Sequence, residues 1–312
     1  MPERNDSGDP LRLRCGVSIQ RSLNPLTLAA GEVLDPTYTR CVRQIEVGEL
    51  IAGRYLVHGF LGMGIVSVVY LAIDIAEARP VALKLLRSRF LEMPGLAAPC
   101  ASYPMAELLR REIHLHSGVH HPRIVELLDD GTWEDRPFAV LEYVSDPSVQ
   151  GQFREGLAPG EAIAIMTEVL DALTYLHDSG IIHRDLKPEN IHYGSENGVK
   201  LLDLGLAMRV DEVDAASIVS IMGSRRYGAP EQHRLQGRTV HVTPRSDVFA
   251  AAATLERLLY GSVARRGDDE ALDAAIPGAL SELMDRALSE DPLVRPADAR
   301  EFNVLLSGLP VS

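Results

Sequence analysis

The stretch HRDLKPENIH, residues 183–192, places a carboxylate at Asp185, an ammonium at Lys187 and an amide at Asn190 within six positions. A further carboxylate, Asp203, follows in KLLDLGLA at the end of a hydrophobic run. A carboxylate can take the proton of an attacking hydroxyl, a nearby cation can meet the charge of a phosphate, and oxygen donors suit a hard divalent metal. Upstream, LGMGIVSVVY carries Gly62 and Gly64, and VALK carries Lys84. Glycines at a turn let backbone N–H groups approach phosphates, although a plain hairpin uses the same residues. The chain has only three lysines, Lys84, Lys187 and Lys200, amid abundant arginine. Two of so few lysines at Lys84 and Lys187 are hard to ascribe to drift, since a compact ammonium and a planar guanidinium are not interchangeable.

These residues need elements to position them. RYLVHGFLGMGIVSVVYLAIDI and PVALKLL are short apolar or β-branched runs punctuated by Gly and Pro, which predicts an antiparallel meander beginning near Glu49, with EDRPFAVLEYV adding a further turn and strand. Between them Met105, Leu108, Leu109, Glu112 and Leu115 recur at helical spacing, giving one helix on the sheet. PGEAIAIMTEVLDALTYLHDSG puts Ile163, Met166, Val169, Leu170, Leu173 and Leu176 on one stripe between Pro159 and Gly180, a helix with both of its stop signals. SDVFAAAATLERLLYG is apolar nearly all round and predicts a buried helix with Ser246 as N-cap. ALSELMDRALSE and ADAREFNVLLSGL predict a final helical pair. The whole is α+β: a small β-rich lobe with one main helix, then a larger helical lobe, with a cleft between.

Composition narrows the function classes. A chain of 312 residues with 46% hydrophobic and 24% charged residues can bury a sizeable core. Its net charge of −13 argues against general affinity for nucleic acid or anionic membrane, which would need an excess of Lys and Arg. Cys15, Cys41 and Cys100 have no disulfide or zinc spacing, which fits a cytoplasmic protein; no segment reads as a leader or membrane span. Residues 1–47 lack sustained periodicity and read as a tail or small appendage, and residues 88–106, with three prolines, as an inserted loop. His116 and His120 are spaced so that they could share a helix face, but two histidines without further ligands read as ordinary polar residues.

In order and local context these motifs resemble those of eukaryotic-like bacterial serine/threonine protein kinases, over roughly residues 49–308. The resemblance implies a bilobal kinase domain over 48–312, its N-lobe about 48–143 and its C-lobe about 144–312. It implies ATP with Mg²⁺, or Mn²⁺ in its place, as cofactors. It makes Asp185 the catalytic base, Lys187 the γ-phosphate cation, Lys84 the α/β-phosphate lysine paired with Glu112, and Asn190 and Asp203 the metal ligands. Leu61, Gly62, Gly64, Ser67 at the third-glycine position, Val69, Ala82, Glu142, Val144 and His192 would surround the nucleotide. His192 stands where an apolar residue usually lies beneath adenine, and its polar nitrogen requires a partner.

Glu231 of GAPEQ is expected to pair with Arg295, and Asp247 to support the catalytic loop from below. Ser224 takes the place of a threonine that contacts Asp185 and Lys187. Arg184 suggests pairing with a phosphate on the activation segment, with Ser217 or Ser220 as autophosphorylation site, which a homodimer would serve. Protein substrates with Ser or Thr hydroxyls are implied. A pseudokinase scaffold is the rival reading, and a small-molecule kinase a weaker third.

Overall fold

The strand runs of the first half form one sheet because each alternates or combines β-branched and aromatic side chains that suit a pleated surface. In the computed structural model, which describes residues 45–64, 66–87, 105–212, 226–233, 242–261 and 270–310, six strands pair antiparallel. They are β1 (Leu50–Ile51), β2 (Tyr55–Met63), β3 (Ser67–Asp74), β4 (Arg79–Leu86), β5 (Leu127–Trp133) and β6 (Arg136–Glu142), in spatial order β1-β2-β3-β4-β6-β5. One face carries Tyr55, Val57, Tyr70, Val81, Leu83 and Phe138. The other receives helix α1 (Met105–His116), whose Leu109 and Ile113 pack with Leu86, Ala139 and Leu141. Val69 is paired with Lys84 across β3 and β4, so the two side chains share a face, as does Ala82 two residues on.

Strand β5 is absent from the sequence reading, because LLDDGTW has two aspartates and a glycine where strands prefer branched or aromatic residues. Its polar position is satisfied from outside: Asp129 accepts hydrogen bonds from the Tyr55 hydroxyl and from Arg54 Nη1, the latter at 3.2 Å.

The helical half is built on α3 (Pro159–Asp178), which follows the short α2 (Val149–Gln152). All six residues of its predicted stripe are buried. Packed on it is α5 (Pro244–Tyr260), preceded by the one-turn α4 (Pro230–His233) and followed by α6 (Glu270–Ala275), α7 (Gly278–Ala287) and α8 (Ala299–Ser307). Ser246 is not the N-cap of α5. Pro244 sets the first helical φ, Thr243 is the extended cap residue, and Ser246 sits three residues inside, where the two exchange side-chain-to-backbone hydrogen bonds in a capping box. The Ser246 hydroxyl also donates to Glu231 Oε1 at 2.7 Å. Two-residue and four-residue ladders, β7 (Ile181–Ile182) with β10 (Met208–Arg209) and β8 (Ile191–Gly194) with β9 (Gly198–Leu201), brace the loops between α3 and α4. No helix among the described residues is long and apolar enough to cross a membrane.

Gly261 ends α5 with φ +70°, and a Cβ there would lie 2.3 Å from the carbonyl oxygen of Arg154. Gly180 has the same φ with nothing within 4 Å. Gly261→Ala should therefore lower stability by about 3 kcal/mol and Gly180→Ala by only about 1 kcal/mol, since the second carries backbone strain without a clash. Urea midpoints of the two variants measure the difference, and equal shifts would show that strain alone operates.

Candidate active site

The loop that follows β7 is held from beneath by a buried carboxylate. Asp247, at the start of α5, accepts from the backbone N–H of His183 and of Arg184, both at 2.8 Å. His177 of α3 completes its shell: Nε2 lies 2.9 Å from Asp247 Oδ2, and Nδ1 faces the backbone N–H of Ala299 at 3.2 Å. Burial alone would push the Asp247 carboxyl up; His177 and the loop N–H groups outweigh it, so it stays low and ionised. Arg184 holds φ +68°, a strained backbone for a non-glycine residue that these bonds fix in place. From above, Gln232 Nε2 donates to the Arg184 carbonyl at 3.0 Å. The activation-segment end is tied down in turn, as Arg295 makes two parallel bonds to Glu231 at 2.8 and 3.0 Å.

On that support Asp185, Lys187 and Asn190 come together. Lys187 Nζ is 2.5 Å from Asp185 Oδ2. Asn190 closes the turn Pro188–Asn190 and its Nδ2 donates to the Asp185 carbonyl at 3.0 Å. With the amide nitrogen so used, its carbonyl oxygen is the group left for a cation.

The second group is centred on Lys84. Its Nζ bridges Glu112 Oε1 at 2.5 Å and Asp203 Oδ1 at 2.7 Å, linking strand β4, helix α1 and the segment after β9. Burial would pull the ammonium down, but the two carboxylates outweigh it and keep it charged. Burial likewise pushes the Asp203 carboxyl up; Lys84 and the Gly205 N–H prevail and hold it well below the ordinary carboxylate range. Glu112 is pushed up by burial, with Lys84 opposing. Two carboxylates around one ammonium leave a formal excess of negative charge, which suits a divalent cation at Asp203. Asp203 itself has φ +57°, a second strained residue at the site. Lys84, Glu112 and Asp203 of the one group and Asp185 and Lys187 of the other line one cavity of about 190 Å³, with Gly64, Ser67 and Gly205 among its other walls; Asn190, bonded to the Asp185 carbonyl, is buried and not in that lining. Among the described residues no cluster of three or more His, Cys, Asp or Glu could hold a metal by itself. One carboxylate and one amide therefore need further oxygen donors from a ligand.

Other expected nucleotide neighbours lie on elements around this cavity rather than in its lining. Leu61 and Gly62 are on β2, Val69 on β3, Ala82 on β4, and Val144 is two residues past the end of β6. A Cβ on Gly62 would meet nothing and one on Gly64 only the Ser67 carbonyl at 3.8 Å, so internal packing does not demand either glycine. The Glu142 side chain turns to Lys200, 2.8 Å away, and lines a different cavity with His120, His121 and Glu126. Only its main chain is left to meet a base. His192 Nδ1 lies 2.5 Å from the Asp146 carbonyl, the partner its nitrogen required, and burial holds the ring neutral by pulling it below the usual histidine range. His192→Leu should accordingly shift the KM for ATP by less than about threefold. Steady-state titration of ATP checks this, and a tightening beyond tenfold would mean that the imidazole obstructs the base.

Ser217, Ser220 and Ser224 lie outside the described residues, as does most of the 88–106 insertion. Arg184 is only 3% exposed, and burial pulls its guanidinium down to about 10. The sequence reading missed His177, Gln232, Arg111 and Glu212. His177 and Gln232 act through groups distant in the chain, and no local pattern marks them.

The chain belongs to the protein kinase domain family, whose model matches residues 55–297. Within it the chain is similar to bacterial serine/threonine-protein kinases. It is 34% identical over 280 residues to pkn2 of Myxococcus xanthus, covering 81% of this chain and 32% of the relative. It is 29% identical over 274 residues to PrkC of Bacillus subtilis, covering 82% and 40%. The chain thus spans less than half the length of these relatives. Among solved structures it superposes on the kinase domain of Mycobacterium tuberculosis PknI with a TM-score of 0.61 and 26% identity, over 85% of this chain and 98% of that one.

Proposed function

We propose that the chain is an ATP-dependent protein kinase that transfers the γ-phosphoryl group to Ser or Thr hydroxyls of proteins. The observation that carries this reading is the meeting, around one cavity, of the Lys84–Glu112–Asp203 cluster with the Asp185–Lys187 pair, whose loop Asn190 braces. In the transfer, the substrate hydroxyl oxygen forms a bond to the γ-phosphorus as the bond to the bridging oxygen breaks, and ADP departs with those electrons. Asp185 accepts the hydroxyl proton. Lys187, held beside it, meets the charge on the transferred group. Lys84, fixed by two carboxylates, is positioned for the remaining phosphates. Mg²⁺, held by Asp203 and Asn190, would neutralise phosphate charge when bound.

Protein substrates and a transient homodimer for autophosphorylation belong to the same proposal, as do a cytoplasmic setting and a domain spanning 48–312. The test is transfer of labelled phosphate from ATP to the protein itself and to a generic protein acceptor, followed by phosphoamino-acid analysis, with Asp185→Asn as the comparison. Label on Ser or Thr that depends on Asp185 is the expected result. Transfer that persists in Asp185→Asn, or none in either protein, sinks the reading.

A further inference from the structure

Helix α1 carries Glu112 to Lys84, and what sets its rotation decides whether the site is assembled. Arg111, one residue before Glu112, is a half-buried helix residue whose Nη2 is ion-paired with Glu212 Oε2. Consecutive helix positions are about 100° apart, so Arg111 and Glu112 leave the helix on adjacent flanks. Glu112 binds the strand side through Lys84, and Arg111 binds the segment that follows Asp203. That segment is anchored to the helical lobe. Met208 and Arg209 pair with Ile182 and Ile181 immediately before the catalytic loop, and the Val210 N–H donates to the Gly180 carbonyl at 2.9 Å. Glu212 lies two residues further on, so its pair with Arg111 crosses from the helical lobe to the helix of the β-rich lobe.

The surroundings explain why a carboxylate is wanted there. Arg111 is one of the charges acting on the buried Arg184, opposing the influence of Asp185 and Asp247. An arginine on this helix is the kind of group with which an added phosphate would pair. Here a carboxylate of the chain itself already occupies Arg111.

We propose that Glu212 is a positioning residue: bound to Arg111, it holds helix α1 with Glu112 facing Lys84, so that the site is assembled before any phosphate is added to the chain. The effect on turnover rests on the kinase reading above, whereas the tie between helix and segment does not. The two are separated by measuring phosphatase-treated full-length protein in parallel for phosphoryl transfer and for amide hydrogen exchange. In Glu212→Gln, kcat should fall about tenfold. Exchange should rise over residues 105–116 and not over 159–178. Glu212→Asp should recover part of the loss, and the swapped pair Arg111→Glu with Glu212→Arg most of it. Unchanged exchange and kcat in Glu212→Gln overturn the proposal, and so does a rise shared equally by 159–178, which would mean general destabilisation. If no protein transfers phosphate but exchange still rises over 105–116 alone, the tie stands and the kinase reading fails.

Discussion

Asp185→Asn lowers kcat for phosphoryl transfer by about a thousandfold and leaves the KM for ATP within about threefold: this is the outcome expected if the carboxylate acts on the hydroxyl proton in the transition state. The substitution is nearly isosteric, so the support from Asp247, Gln232 and Asn190, which acts largely through backbone groups of the loop, stays in place. What is lost is the acceptor for the proton and the partner of Lys187. The latter is about a quarter exposed and can turn to solvent, so folding stability should change by less than about 1 kcal/mol. A loss of kcat with unchanged melting and unchanged ATP titration therefore isolates chemistry from folding and binding. A variant that keeps more than a tenth of wild-type kcat would show that Asp185 is not the proton acceptor.

The difference between what was legible in the sequence and what was not follows the range of the interactions. Asp185, Lys187 and Asn190 are readable together because one short loop carries them, so the spacing of the chain is the spacing of the site. The stripe of α3 is readable because periodicity is local and its burial follows. Lys84 and Glu112 needed the family pattern, since 28 residues separate them and a lone helix glutamate is ordinarily solvated. Strand β5 was hidden because its aspartate is satisfied by Arg54 and Tyr55, far back in the chain. The His192 nitrogen looked unpartnered for the same reason: its acceptor is a backbone carbonyl 46 residues away, and backbone acceptors leave no mark on composition. Ser246 was misread by three residues because Ser is the better capping residue by type, and only the extended conformation at Thr243 shows that the helix starts earlier.

The other large effect is expected at Lys84, where folding and activity should fail together. Lys84→Met keeps an unbranched apolar stem but removes the one positive charge between Glu112 and Asp203, in a place where the lysine is only 6% exposed. Removing the ammonium costs about 3 kcal/mol, chiefly because Glu112 is left charged and desolvated; the Asp203 side chain, 42% exposed, can be met by water. The pH dependence gives the sign. In the native protein Asp203 is held below its unfolded value, so its contribution is present above the unfolded carboxylate pKa and is lost as pH falls through the folded one. Without Lys84 the largest opposing influence is gone: burial acts on Glu112 unopposed, while at Asp203 only the Gly205 N–H and the Lys187 charge still hold the carboxyl down. A carboxyl raised in the folded state binds its proton more readily there than in the unfolded chain. The deficit of Lys84→Met should therefore be greatest near pH 8 and shrink as pH is lowered towards 5.5. Adding Glu112→Gln removes one of the stranded charges and should return about half of the lost stability without returning any transfer activity. Lys84→Arg keeps the charge, yet a planar fork cannot take the single point that the ammonium holds at 2.5 and 2.7 Å from two carboxylates, so it should be more stable than Lys84→Met and nearly as inactive. Urea unfolding at the two pH values measures this directly. Equal deficits at both would mean that Glu112 and Asp203 do not depend on Lys84 for their charge, and the electrostatic account of the cluster would have to be abandoned.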